Sequence, residues 1–144
     1  MAKVLVPMQP DQPAKTMAAV EAAIRLHRQE NAAVHLLSVQ SRINGHVASY
    51  FGADELRQLQ QKMGREDLAD ARRQLDAAGV PYTTSMAVGR RADTIALTAR
   101  EYGCRRVLLG APPESDVVGT MFGSLADQLR HMIRVTGGFE VIGS

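Results

Sequence analysis

The chain has 144 residues and a formal net charge of +2, and 45% of its residues are hydrophobic. This length predicts a single domain, residues 1–144, with a hydrophobic core of its own. Only 4% of the residues are aromatic and Trp is absent, which disfavours a base-stacking surface for single-stranded nucleic acid. Because the arginine pairs are spread along the chain rather than gathered in one patch, nucleic acid is not an expected partner.

The cysteine count and the lengths of the apolar runs indicate the cellular compartment in which the protein is expected. Cys104 is the only cysteine, so the chain has no disulfide framework, and we interpret this residue as a buried, inert thiol. The first predicted strand begins at Lys3, with no signal peptide before it. No apolar run approaches membrane-spanning length. We therefore expect a soluble, cytoplasmic protein with no membrane partner.

Nine predicted elements alternate along the chain. Short apolar runs predict strands, and apolar residues at helical spacing predict helices. In chain order they are strand 3–8, helix 14–29, strand 33–39, helix 53–78, strand 80–88, helix 92–102, strand 106–109, helix 124–134 and strand 139–142. Continuously apolar strands that alternate with amphipathic helices predict an α/β fold with an open, doubly wound, five-stranded parallel sheet covered on both faces.

The second and third predicted helices each end at a glycine, Gly79 and Gly103. The first begins after Asp11, with Pro13 as a second start signal. In the second helix, Gly64 coincides with a slip in the apolar phase, which predicts a break between its two halves.

The first predicted helix has a spacing that indicates one buried face. The apolar positions of that face are Met17, Val20, Ile24 and His27.

The segment after the fourth strand is the most informative part of the sequence. The apolar run stops at Gly110, a polar loop follows, and Gly123-Ser124 opens the last helix. Such a loop lets backbone N–H groups and a helix N-terminus face one anionic group. In a doubly wound sheet, ligands bind beyond the carboxyl ends of the strands, and the end of the first strand at Met8 and Gln9 is the other polar candidate.

With these features the chain resembles the universal stress protein family over essentially its whole length. The matching residues are the opening KVLVPM, the strand VHLLSV, Val88-Gly89 at the end of the third strand, and VLLG followed at a fixed distance by GS. The family's nucleotide motif is G-x2-G-x9-G-[ST]. In this sequence Gly110, Pro113, Gly123 and Ser124 occupy that frame, so the spacing is preserved and the second glycine is not.

The resemblance implies a Rossmann-like, adenine-nucleotide-hydrolase-like sheet of order 3-2-1-4-5 and a homodimer joined through the last strands. Some members bind ATP at the crevice, and others act through protein partners without it. By resemblance, Gly110, Gly123 and Ser124 are phosphate-loop positions. The adenine side is placed near Met8, Gln9 and Val39.

Two departures from the family pattern weaken the prediction of ATP binding. ATP-binding members commonly have an acidic residue at the position of Gln9, and an amide presents different donors and acceptors. Pro113 lacks an N–H and fixes φ near −65°. The loop also contains Glu114 and Asp116 and no Lys or Arg, which disfavours a triphosphate.

These observations favour a non-catalytic, partner-binding stress-response domain with a degenerate ATP-binding loop, in which no cofactor is required. The alternative is an ATP-binding switch that uses Gly110, Gly123 and Ser124. A third reading, an enzyme related to adenine-nucleotide hydrolases, lacks any paired acid and base, any nucleophile with a base and any metal-ligand spacing. Arg90 and Arg91 are interpreted as solvated surface, with a phosphate role as the weaker alternative.

The last predicted strand, Phe139 to Ile142, is a short apolar edge strand. An exposed apolar edge is a liability that pairing with another chain removes. We therefore expect a homodimer joined through this strand, together with a protein partner that the sequence does not identify.

Overall fold

In the computed structural model, residues 2–41, 51–110, 125–136 and 138–143 are described. The elements are β1 (Lys3–Pro7), α1 (Pro13–Glu30), β2 (Ala33–Gln40), α2 (Ala53–Ala78), β3 (Tyr82–Val88), α3 (Arg91–Glu101), β4 (Arg106–Gly110), α4 (Leu125–Thr136) and β5 (Glu140–Gly143). All nine predicted elements are present in the predicted order, and their bounds differ from the predicted ones by at most two residues.

The five strands form one parallel sheet of order β3-β2-β1-β4-β5. Both the fold class and the strand order expected from the sequence are confirmed. The longest pairing joins β2 to β3, from Val34 opposite Tyr82 to Gln40 opposite Val88. Since β1 lies between β2 and β4, the chain winds outward from the centre of the sheet in both directions.

The two faces of the sheet carry separate apolar cores. On the first face, α1 and α2 pack against β1 and β2 through side chains that include Val20, Leu36 and Leu75. On the second face, α3 and α4 pack against the sheet through side chains that include Ile95 and Leu129. This arrangement makes the sheet doubly wound, because the helices after β1 and β4 lie on opposite faces.

The glycine stops act as predicted. Gly79 follows α2 with φ +70°, and its N–H donates to carbonyls of the last helical turn. Gly103 follows α3 with φ +67°. Both use the left-handed region that glycine enters without steric cost. Pro13 is the first residue of α1, where its missing N–H leaves no intrahelical bond unmade.

The predicted buried face of α1 is partly wrong. Met17 is 53% exposed, whereas Ala19 and Ala23 are fully buried beside Val20 and Ile24. The small alanine side chains let the helix pack closely on the sheet, which rotates Met17 toward solvent. His27 lies at the helix end, where its Nδ1 is 2.9 Å from the carbonyl oxygen of Ala32.

The predicted break at Gly64 is also wrong, because α2 is one continuous helix through this residue. Gly64 is buried, and a Cβ at this position would collide with the Sδ of Met86 on β3. The glycine therefore permits close packing of a helix on a strand instead of interrupting the helix.

The last strand is shifted by one residue from its prediction. Phe139 precedes β5 and is buried in the second core, and Val141 is buried on the same side. Ile142 is 38% exposed. The apolar surface at this edge is therefore narrower than the sequence run suggests.

Among the described residues, none of the helices is both long enough and apolar enough to cross a membrane.

Candidate functional site

The candidate site is the crevice at the carboxyl ends of β1 and β4, defined here by Met8, Gln9, Leu109 and Gly110. The helix that follows β1 covers one face of the sheet, and the helix that follows β4 covers the other. In open α/β sheets, the point where the winding direction changes is where ligands bind. The strand ends that the sequence singled out therefore lie side by side at this point of the sheet, and the site itself remains a prediction.

Gln9 bridges the two strand ends. Its side chain is buried, with 4% of the residue exposed, and its Nε2 donates a hydrogen bond to the carbonyl oxygen of Leu109 at 2.9 Å. The backbone N–H of Gln9 donates to Thr16 Oγ1, and that hydroxyl is also within 3.3 Å of the Gln9 carbonyl oxygen. Gln9 thus ties β1 to β4 and to the first turn of α1.

A carboxylate at this position could not make the same bond. Carboxylates accept hydrogen bonds, and the group opposite is another acceptor, the Leu109 carbonyl. The only acceptor that the Gln9 side chain can offer a ligand is its neutral amide oxygen. Hydrogen bonds to neutral acceptors are about half as strong as those to charged ones.

Met8 and Val39 do not face each other. Met8 is 3% exposed and packs in the first core, beneath α1 and α2, whereas Val39 is half-buried against the second core. These two predicted adenine contacts therefore lie on opposite sides of the sheet. Of the two, Val39 has more exposed surface to offer a ligand.

Gly110 lies at the end of β4 with φ +81°. A Cβ here would collide with the backbone carbonyl oxygen of Lys15 in α1. The glycine is therefore required by the close approach of β4 to α1, whether or not a phosphate binds beside it. Pro113, Gly123 and Ser124 lie outside the described residues, as do Glu114 and Asp116.

A hydrogen-bonded group of three polar side chains lies at the end of β2, and it was not predicted from the sequence. Gln40 Nε2 donates both to Ser38 Oγ at 2.9 Å and to Asp67 Oδ2 at 2.8 Å, and Ser38 Oγ donates to the same carboxylate at 3.2 Å. The signal was the pair of polar residues two positions apart in an apolar strand. Their carboxylate partner on α2 is too distant in the sequence to be inferred.

The space between α1 and α2 at this edge is acidic. A cavity of about 210 Å³ is lined by Met8 and Gln9 on one side and by Glu66, Asp67 and Asp70 of α2 on the other. Among the described residues, no basic side chain lines this cavity. The negative charge disfavours a polyphosphate on this side of the crevice.

Basic groups lie instead at the ends of β2 and β3. Arg90 and Arg91 line a cavity of about 720 Å³ at the N-terminus of α3. Arg91 also forms an ion pair of 3.3 Å with Asp11, which follows β1. Because β2 lies between β1 and β3, this pair spans the carboxyl end of β2. The sequence predicted that Arg91 is a solvated surface residue. This prediction is incomplete, since the guanidinium also forms an ion pair with a carboxylate.

Cys104 is 1% exposed, as predicted for a buried thiol. Burial raises the pKa of Cys104 to about 11, which keeps the sulfur protonated and unreactive at neutral pH. His131 is exposed on α4. Among the described residues, no three His, Cys, Asp or Glu side chains are grouped so that they could hold a metal ion.

An α/β domain with a crevice at the switch point of an open parallel sheet is the architecture of nucleotide-binding modules of several families. The sequence matches the model of the universal stress protein family over residues 1–135. The chain belongs to the universal stress protein family. A comparison with curated proteins gave no match.

Solved structures of similar fold include three family members. A universal stress protein family protein from Burkholderia pseudomallei is 18% identical, with 99% of this chain and 96% of that chain covered and a TM-score of 0.68. A universal stress protein in complex with cAMP is 18% identical, with 99% and 96% covered and a TM-score of 0.70. A family member from Arabidopsis thaliana with AMP bound is 15% identical, with 99% and 90% covered and a TM-score of 0.64. At these identities the likeness establishes the fold.

Proposed function

We propose that this protein is a non-catalytic stress-response domain that binds adenine nucleotides weakly and acts through a protein partner. The observation that carries the proposal is the bond from Gln9 Nε2 to the Leu109 carbonyl. Family resemblance places an adenine contact at Gln9. In this chain the side chain there is buried, neutral and already used to hold β1 against β4.

The loss in affinity can be estimated. If a ligand displaced the Gln9 amide, the Leu109 carbonyl would be left unpaired, at a cost of about 1–3 kcal/mol. Since each 1.4 kcal/mol is about tenfold in affinity, this alone weakens binding by roughly ten- to a hundredfold. Pro113 adds to the effect, because it removes a backbone donor from the phosphate-loop frame.

Calorimetric titration of the purified protein with ATP and Mg²⁺ tests this proposal. We expect no binding in the micromolar range, and micromolar binding by the wild-type protein would overturn it. The variant Pro113→Gly restores the family's glycine and is expected to gain affinity. The matched control, Pro81→Gly, changes an exposed proline outside the crevice and is expected to bind as the wild-type protein does.

The second candidate function is an ATP-binding switch built on Gly110, Gly123 and Ser124. The observation that favours it is that similar structures hold cAMP and AMP, and the φ of +81° at Gly110 is compatible with it. This function requires ATP to raise the melting temperature of the wild-type protein and Gly123→Val to abolish that increase. Gly110→Ala is unsuitable here, because its Cβ would collide with α1 in the absence of any ligand.

We further propose a homodimer joined through β5. In the described part of the chain, β5 pairs only with β4 and presents Ile142, which is 38% exposed. Pairing with a second copy would cover this edge. Sedimentation equilibrium is expected to show a dimer that Ile142→Lys converts to a monomer, and a monomeric wild-type protein at tens of micromolar, roughly the range of an ordinary weak dimer, would refute the proposal.

A further inference from the structure

A cluster of polar side chains lies on the second face of the sheet, away from the crevice. It consists of His35 on β2, Thr83 and Ser85 on the edge strand β3, and Tyr102 after α3; we call it the histidine cluster. His35 is 1% exposed. Its Nδ1 is 2.6 Å from Thr83 Oγ1 and its Nε2 is 2.8 Å from Ser85 Oγ.

The ring of His35 is held in one plane. Tyr102 stacks on it with ring centroids 4.4 Å apart and an interplanar angle of 23°, and both ring nitrogens have hydroxyl partners. The two hydroxyl residues lie at the protein surface, since Thr83 is exposed and Ser85 is half-buried. A fixed base thus contacts two hydroxyl groups at the edge of the sheet.

We propose that Ser85 is a nucleophile activated by His35, and that it accepts an acyl group from activated acyl donors such as aryl esters. In the neutral ring, one nitrogen carries the proton and the other accepts. When Nδ1–H donates to Thr83 Oγ1, the Ser85 hydroxyl donates to Nε2, which is the relation between a nucleophile and its oriented base. Ser85 is favoured over Thr83 because its primary hydroxyl is less hindered than a branched one.

The two hydroxyl groups can remain hydrogen-bonded to the His35 ring after it gains a proton. After His35 takes the proton of Ser85, both ring nitrogens are donors, and the oxygens of Thr83 and Ser85 can both accept. No buried donor is left unpaired in either protonation state. Burial lowers the pKa of His35, and the ammonium group of Lys3 lowers it further, so the ring is neutral at pH 7 and one of its nitrogens is an acceptor for a hydroxyl proton.

One such donor is p-nitrophenyl acetate. Ser85 Oγ forms a bond to the carbonyl carbon while its proton passes to His35 Nε2. The bond between that carbon and the nitrophenolate oxygen breaks, and nitrophenolate leaves with the electron pair. The products are acetylated Ser85 and nitrophenolate, and the proton on His35 is released to solvent. The result is a single covalent modification, consistent with the non-catalytic function proposed above.

The test is acetylation of the full-length protein by p-nitrophenyl acetate, with the modified residue located by peptide mass spectrometry. We expect an acetyl group on Ser85 that is absent in Ser85→Ala. The matched control is Thr84→Ala, which removes an exposed hydroxyl on the other face of β3 and is expected to be acetylated at Ser85 like the wild-type protein.

Two further variants separate an activated serine from an accessible one. His35→Gln is expected to slow acetylation of Ser85 by at least about 100-fold, the lower end of the usual contribution of a general base. Thr83→Val is expected to slow it through loss of the ring's second partner. Thermal unfolding checks that each variant is folded. If His35→Gln does not fold, Thr83→Val still tests the proposal, because it alters only an exposed side chain. Absence of the adduct, an adduct on Thr83 instead, or an unchanged rate in the folded variants would overturn the proposal.

Discussion

The crevice and the histidine cluster each contain a buried polar side chain that is hydrogen-bonded to other protein groups. The two differ in whether those hydrogen bonds can reverse direction. Gln9 donates to a backbone carbonyl, a group that can only accept. His35 contacts two hydroxyl groups, which can donate or accept. The first arrangement fixes one hydrogen-bond direction and stabilises the fold, whereas the second allows a proton to move. Burial alone therefore does not separate a structural polar group from a reactive one; the chemistry of its partner does.

The largest expected effect is on the crevice, through Gly110→Ala. This variant combines a positive φ with a collision against the Lys15 carbonyl, and we expect a loss of about 2–5 kcal/mol in the free energy of unfolding. The control is Gly79→Ala, which has a similar φ of +70° and no atom near the new Cβ, and which is expected to cost about 1 kcal/mol. Urea unfolding of both variants measures the difference, and equal losses would show that the contact with α1 is unimportant.

Gln9 is expected to have the next largest effect. Gln9→Leu leaves the Leu109 carbonyl without its donor and should lower the free energy of unfolding by about 1–3 kcal/mol. Gln9→Glu should be destabilised in a pH-dependent manner, because only the protonated acid can donate to that carbonyl.

The stability of Gln9→Glu is expected to fall as the pH rises. Burial beside an acceptor raises the pKa of the introduced carboxyl above its usual value of about 4.3. The stabilising bond is therefore present at low pH and is lost as the pH rises through the raised pKa. Denaturant unfolding at several pH values measures this, and a stability of Gln9→Glu that follows the wild-type protein at every pH would mean that the bond contributes little.

The smallest expected effect concerns the histidine cluster. The pKa of His35 is lowered from 6.5, so the unfolded chain binds the proton first as the pH falls. Stability is therefore complete at neutral pH and declines below about pH 6.5, by at most about 1.4 kcal/mol per pH unit. His35→Gln should flatten this part of the profile, and an identical decline in both proteins would assign it to the other histidines.

Much of the fold could be predicted because its signals are local. The alternation of apolar runs with amphipathic segments placed all nine elements, and glycines at the ends of α2 and α3 marked where those helices stop. The wrong predictions also rested on local signals, but tertiary contacts gave those residues another role. Gly64 is a contact point for Met86 rather than a break, and Met17 is exposed because alanines face the sheet instead.

The candidate site could be located from the sequence but not described in chemical detail. The ends of β1 and β4 were the expected place, and the structure brings Gln9 and Gly110 together there. The bond from Gln9 joins residues 100 positions apart, and the contacts of His35 join residues 48 and 50 positions apart. No periodicity or spacing rule relates such positions.

The sequence by itself determined the class of fold and the course of the chain, because hydrophobic periodicity and glycine stops act within a few residues of each position. Only the tertiary structure decided that Met8 and Val39 face opposite sides of the sheet, that Gln9 is bound to Leu109, and that His35 lies between two hydroxyl groups. The reason is physical: the protonation and donor state of a buried polar group depends on the atoms that surround it, and strand pairing brings those atoms from distant parts of the chain.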